Sequence, residues 1–241
     1  MFSEPAELYD LIYSSKDYRG EAAKIREVIA RDCPAARKIL DVACGTGEHA
    51  KLLAGDFAVD GIDIDSKSIA IARAKVPSGD FRVADMRSFQ ISSRYDVVQC
   101  LFSAIGYLTS PADVVSAFEC FRRHLAPDGI VLVEPWLSPD EFQVGHLNMV
   151  VVDQPDMKVC RMTVSQREGD VSVMPLQYLI ATKDGVRHLE ETHRLALFSV
   201  KQLIGFFQAA GLEPTFDPVG LFGRGLFIAR AVAGIPAPAS S

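Results

Sequence analysis

Apolar positions follow two different periods along the 241-residue chain, and the change of period divides it. In the first 137 residues, short apolar runs alternate with stretches of helical spacing. Ile39–Ala43, Ala58–Ile64, Asp80–Ala84, Tyr95–Phe102 and Gly129–Glu134 read as buried parallel strands. Between or before them, Glu21–Asp32 places Ala22, Ile25, Val28 and Ile29 on one helical face. Helices are also predicted from Glu48, over Ser66–Ala74 behind an Asp65 cap, and from Pro111 to Leu125 behind Ser110. This alternation predicts a Rossmann-like α/β core.

From about Asn148 the period falls to two. Met149–Asp153, Lys158–Gln166, Val171–Ala181 and Arg187–Phe198 read as four antiparallel strands, with turns at Gly169-Asp170 and Lys183-Asp-Gly185. Such strands cannot slot into a parallel sheet, so residues 138–197 are expected to form an inserted antiparallel layer. It should lie over the carboxyl ends of the main strands as a lid. A helix from Val200, ended by Gly211, and two last strands return the chain to the core. The core is thus assigned to 1–137 and 198–233, and 234–241 to a frayed tail.

The stretch Lys38-Ile-Leu-Asp-Val-Ala-Cys-Gly-Thr-Gly-Glu48 is a strand, a glycine turn and a helix start. Gly45 and Gly47 let backbone approach a ligand closely, at the rim where open α/β sheets bind ligands. The turn formally fits a loose dinucleotide fingerprint, and a purely structural turn is a further alternative. Asp41, however, suits a ligand with a positive amino group, such as the methionine part of S-adenosyl-L-methionine. The Asp-Val-Ala-Cys-Gly-Thr-Gly string also resembles the first motif of class I methyltransferases. Asp63 stands eighteen residues past Gly45, near the interval at which a carboxylate meets a ribose diol. Asp85 can accept from an adenine amine with Met86 against the ring, or be a turn aspartate. Ala43, Ile64 and Leu101 complete the expected donor set.

Net charge of −6 supplies no basic stripe for a nucleic-acid polymer. No apolar run reaches the roughly 20 residues that span a bilayer, and no signal peptide is read at the start. The five scattered cysteines read as small buried hydrophobes of a reducing cytoplasm. No histidine pair has metal-ligand spacing, and no metal is predicted. His124, near a helix end, reads as a surface residue; His49 reads as packing or site-lining. His193 falls on one face with Leu189, Glu191, Leu195 and Leu197, as either a core histidine or a site residue. Tyr13 reads as core, whereas Tyr9 and Tyr18 are open between core and ligand.

The loop Ser103–Leu108 leaves the sheet where a donor's sulfonium should sit, which places Tyr107 between two ligands. Tyr107, Glu134 and His193 are candidates to orient an acceptor amine or carry off its proton. Arg224, bracketed by two glycines, suits bidentate phosphate binding, or is a solvated turn arginine. Arg167 is a second cation or a hairpin-end charge. Trp136 is a wall for a sugar ring or plain core.

With these residues located, the chain resembles the nucleotide-sugar N,N-dimethyltransferases that finish amino-deoxysugars such as desosamine and mycaminose. The resemblance runs from Glu7-Leu-Tyr-Asp10 through Glu134-Pro-Trp136 and Arg167-Glu-Gly169 to Gly223-Arg-Gly-Leu-Phe227. It implies a class I methyltransferase core, with a seven-stranded mostly parallel sheet, a terminal antiparallel hairpin and a small auxiliary sheet. It also implies dimerisation, S-adenosyl-L-methionine as donor and a thymidine-diphosphate amino sugar as acceptor. Tyr9, Asp41, Gly45, Asp63, Asp85 and Met86 would surround the donor, and Tyr18 and Arg224 the diphosphate. Tyr178 joins the expected acceptor set. Two departures, Leu137 and Gln166, bear on which sugar is used. Methylation of another small amine or hydroxyl, and a non-catalytic donor-binding regulator, are the competing readings.

Overall fold

The computed structural model describes residues 6–234, so most of the expected tail lies outside the described residues. In order, the elements are α1 (Ala6–Ile12), α2 (Tyr18–Asp32), β1 (Lys38–Val42), α3 (Glu48–Leu53), β2 (Ala58–Asp63), α4 (Ser66–Lys75), β3 (Phe81–Val83) and β4 (Tyr95–Cys100). A 3-10 helix (Ala104–Tyr107), α5 (Pro111–His124) and β5 (Leu125–Val133) follow. Then come β6 (Leu147–Asp153), β7 (Met157–Val164), β8 (Gln166–Glu168), β9 (Val171–Thr182), β10 (Gly185–Ala196), α6 (Val200–Ala209), β11 (Leu212–Asp217) and β12 (Leu226–Ala231).

The first sheet has seven strands in the order β11-β12-β5-β4-β1-β2-β3. Its members pair in parallel except for β12, which runs antiparallel to both β5 and β11. Alternation along the strands feeds two cores. Leu40, Val42, Val98 and Val131 face α5 and α6, where Phe118 stacks on Phe207. Ile39, Val59, Val97 and Leu132 face α2, α3 and α4.

β6 to β10 form a separate antiparallel sheet, ordered β10-β9-β7-β6 with β8 beside β9. The four predicted strands are five, because Lys158–Gln166 breaks at Ser165, whose N–H bonds to His146 O at 3.0 Å. Leu176, Tyr178 and Ile180 on β9 pack with Leu8 and Ile12 of α1 in a third core. α2 begins three residues earlier than predicted, because Asp17 caps it by accepting from Gly20 N at 2.9 Å. Asp65 caps α4 as expected, whereas Ser110 precedes α5 without a side-chain bond. His124 corrects the sequence reading: it is buried against Phe89, its Nδ1–H donating to Cys120 O and its Nε2 accepting from Ile91 N. Burial lowers its pKa, so it is a neutral core group and not a cation at the helix end. Among the described residues, no helix is long and apolar enough to cross a membrane.

Candidate active site

The chain bends sharply as β1 ends. Ala43 adopts φ +56° and Gly45 φ +54°, and no atom stands within 4 Å of where a Gly45 Cβ would be. A left-handed alanine is uncommon and marks a site where the surroundings impose the backbone. Gly45 N–H donates to Asp63 Oδ2 at 2.8 Å, and Asp65 N–H to Oδ1 at 2.9 Å, which fixes the carboxylate beside the turn. Each Asp63 oxygen retains a lone pair for a further donor. Gly47 sits at φ +80°, and a Cβ there would meet Ala72 Cβ at 3.0 Å. It serves helix packing, and it is the first of three predicted site residues that the cavity excludes.

That cavity, about 1020 Å³, opens between the carboxyl ends of the core strands and the inner face of the second sheet. Asp41, Ala43, Gly45, Asp63 and Leu101 line it from the core. Burial raises the Asp41 carboxyl to about 6, partly offset by the field of His49. Burial raises Asp63 too. Ile64, 58% exposed, presents bare apolar surface beside them, with Met86 also on the wall. Asp85 stands on the wall as well, but its carboxylate is gripped by Arg87, with Nη2–Oδ2 at 2.6 Å, which lowers its pKa. Tyr9 closes the cavity from α1 and is hydrogen-bonded to Tyr18. α1 is itself tied to the turn: Asp10 accepts from Thr46 Oγ1 at 2.5 Å and from Lys75 Nζ at 2.6 Å. His49, on the same wall, is bonded through Nε2 to Glu21 at 2.7 Å.

A second group of side chains comes from the other wall and the loop after β4. Phe102 and Ser103 both sit at positive φ, 52° and 61°, and turn the chain into the 3-10 helix that carries Tyr107. That helix lies close to its neighbours, since a Cβ on Gly106 would meet Trp136 Cβ at 3.0 Å and Leu195 Cδ2 at 3.1 Å. Tyr107 opens 43% of its surface into the cavity, while burial of the rest holds its phenol above the ordinary pKa. Its hydroxyl meets Nδ1 of His193 on β10. Trp136 donates through Nε1 to Ser172 Oγ at 2.9 Å, which fixes the indole as a wall. Over that ring, at 4.7 Å, lies the Arg224 guanidinium, which also donates to Ser103 Oγ at 3.1 Å. Arg224 faces both this cavity and a smaller cleft of about 420 Å³ that holds Lys16 and Lys24.

Glu134 and Arg167 are the other two that stand apart. Glu134 is fully buried beneath the cavity wall, accepting from Phe102 N at 2.6 Å, and burial raises its pKa to about 7. Its role is to hold the strained Phe102–Ser103 corner. Arg167 is an exposed hairpin-end charge, bonded to Gly169 O at 2.7 Å and to Asp170. Conversely, Tyr13 lines the cavity, not the core alone, and its hydroxyl accepts from Arg161 Nη1 at 3.0 Å. Arg161 escaped sequence reasoning, and Glu191, read as a neighbour of His193 on the same strand face, was not expected to line the site. The available signal was register: Arg161 shares the buried face of β7 with Val159, and a cation there needs a partner.

A methyltransferase-domain model matches residues 39–129. The dTDP-3-amino-3,6-dideoxy-alpha-D-glucopyranose N,N-dimethyltransferase of Streptomyces fradiae is 42% identical over 228 residues, covering 93% of this chain and 89% of that protein. The chain belongs to this N,N-dimethyltransferase family. The crystal structure of Streptomyces venezuelae DesVI superposes with a TM-score of 0.90 at 33% identity, over 96% of this chain and 100% of DesVI. S-adenosylmethionine-bound CalS10, an amino pentose methyltransferase from Micromonospora echinaspora, gives 0.85 at 32% identity, over 95% and 97%. The chain is thus an S-adenosyl-L-methionine-dependent methyltransferase with the class I fold.

Proposed function

We propose that this methyltransferase transfers methyl groups, one after another, to the amino group of a dTDP-linked amino-deoxysugar. One observation carries the reading. One cavity is lined by a carboxylate-flanked glycine turn, by a guanidinium stacked on tryptophan and by Tyr107, whose hydroxyl meets His193.

The residues present fit the donor. Open space above Gly45 admits the amino-acid part, Asp41 supplies charge for its ammonium, and Asp63 has lone pairs for a ribose diol. Ile64 and Met86 offer apolar surface to an adenine, and Asp85 on the same wall, although paired with Arg87, has lone pairs to accept from its amine. When bound, the donor supplies an electrophilic methyl on a sulfonium. The protein holds the acceptor in line, and positioning of this kind is worth roughly 7–11 kcal/mol.

For the acceptor, Arg224 with Lys16 and Lys24 in the adjoining cleft suits a diphosphate, with Tyr18 on the main cavity wall and Lys16 over its ring at 4.3 Å. Trp136 and Tyr178 suit the sugar ring, and Tyr107 meets its amine. Residues 138–197 act as a lid over this end. The outer face of the lid exposes Leu147, Met149 and Val151 on the edge strand β6, beside Met162, Val164 and Leu179. An apolar face of this kind supports pairing with a second copy in a cytoplasmic homodimer.

Incubation with donor and a panel of dTDP-3-amino and dTDP-4-amino deoxysugars, followed by mass spectrometry, tests the reading. A product carrying one or two added methyls is expected from at least one nucleotide sugar. Turnover confined to amines or hydroxyls lacking the diphosphate would refute it.

A further inference from the structure

Register sets a polar line across the inner face of the second sheet. His193 on β10 lies opposite Met174 on β9, and Glu191 lies opposite Leu176. The Tyr107 hydroxyl is 2.5 Å from His193 Nδ1, and His193 Nε2 is 3.3 Å from Glu191 Oε2. Tyr178 Oη donates to that same carboxylate oxygen at 3.3 Å. The His193 and Glu191 side chains are only 7% and 8% exposed, whereas Tyr107 faces the cavity. A titratable chain thus runs from the reaction space into the sheet. The other titratable groups facing it are Tyr13 and Arg161, bonded to each other, Tyr178 on β9, and Asp63 from the donor end.

We propose that His193 and Glu191 are positioning residues that make Tyr107 the outlet for the proton of the acceptor amine. The inference rests on the function proposed above. A carboxylate on the Nε2 side keeps the imidazole proton there, so Nδ1 keeps its lone pair. Tyr107 then donates its O–H to Nδ1 and turns an oxygen lone pair toward the cavity. An ammonium in the cavity donates to that lone pair. As its N–H bond breaks, a new O–H bond forms at Tyr107, and the original Tyr107 proton passes to Nδ1. One positive charge moves from the acceptor to His193, where Glu191 balances it, and the amine lone pair is freed for the methyl. Each methylation leaves an ammonium again, so the same outlet serves a second transfer once His193 has shed its proton between turnovers.

The test compares kcat against pH for wild type, His193→Gln and Glu191→Gln on a dTDP-amino sugar. Calorimetric binding of S-adenosylhomocysteine serves as the control for folding. Both variants are expected to keep the wild-type donor Kd. Near pH 7 they should lose roughly 10–100-fold in kcat, with a smaller change in KM. Their acidic limb should move to higher pH, so that activity returns as the free amine deprotonates unaided. Added imidazole should restore turnover to His193→Ala. A loss of the same fraction at every pH, or none, would overturn the assignment. If His193→Gln fails to bind S-adenosylhomocysteine, the isosteric Glu191→Gln decides. A wild type inactive on every dTDP-amino sugar would refute the proposed function instead, whereas an active wild type with unshifted variants refutes only this inference.

Discussion

The hydroxyl of Tyr107 and Nδ1 of His193 lie 2.5 Å apart although 86 residues separate them. One sits on a turn of the core and the other on the second sheet, so this bond joins the two layers at the cavity. Tyr107→Phe keeps the ring and deletes the bond. We expect kcat to fall at least tenfold while donor affinity holds, and stability to drop by about 1 kcal/mol. Steady-state kinetics beside thermal unfolding checks both.

Asp63 is fixed by two backbone N–H groups, and removing it costs both the turn and its free lone pairs. Asp63→Ala should raise the Kd for S-adenosylhomocysteine by roughly 100-fold, as loss of two bonds to a charged group implies. Asp63→Asn, which keeps an acceptor, should lose less. Calorimetry distinguishes them.

Arg224 is stacked on Trp136 and Phe222 and hydrogen-bonded to Ser103, a planar setting that a lysine cannot reproduce. Arg224→Lys and Arg224→Ala should both raise KM for the nucleotide sugar at least tenfold and leave donor Kd unchanged. Equal KM values for wild type and variants would remove Arg224 from the acceptor site.

Glu134 supplies a pH signature. Burial raises its pKa from the ordinary carboxylate value to about 7, so the folded state favours the protonated form. Its stabilising contribution is complete below the unfolded pKa and is lost as pH rises toward 7. Glu134→Gln keeps an acceptor for Phe102 N–H without a charge. Its unfolding free energy, followed by thermal or denaturant melts, should gain on wild type between pH 5 and pH 8 by an amount on the order of 2 kcal/mol. A constant difference across that range would contradict the assignment.

Asp41 acts in the opposite direction on ligand binding. An ammonium placed beside it favours the charged form, so donor affinity should weaken as pH falls below about 6. Asp41→Asn should bind the donor less tightly and show a flatter dependence over the same range, measured by calorimetry at several pH values.

Much of the core was legible because burial on both faces writes continuous apolar strands such as Ile130–Val133, and because glycine turns and Asp63 obey spacing rules. Period-two alternation likewise placed His193 on the inner face of β10. What failed depends on tertiary neighbours. Nothing local says that His124 tucks against Phe89, or that Glu134 points under the Phe102 corner and not into the cavity. Arg167 turned back onto its own hairpin, an option that one dimension left open. Arg161 went unread because its meaning comes from Tyr178 across the ladder and Tyr13 on another element, which meet it only once β7 and β9 are in register.

The most direct measurement is a crystal structure with S-adenosylhomocysteine and a dTDP-amino sugar bound together. The nucleoside is expected on Asp63, the diphosphate at Arg224, and the amine nitrogen within hydrogen-bond reach of the Tyr107 hydroxyl. An amine held away from Tyr107, or a nucleotide sugar bound outside this cavity, would contradict this arrangement.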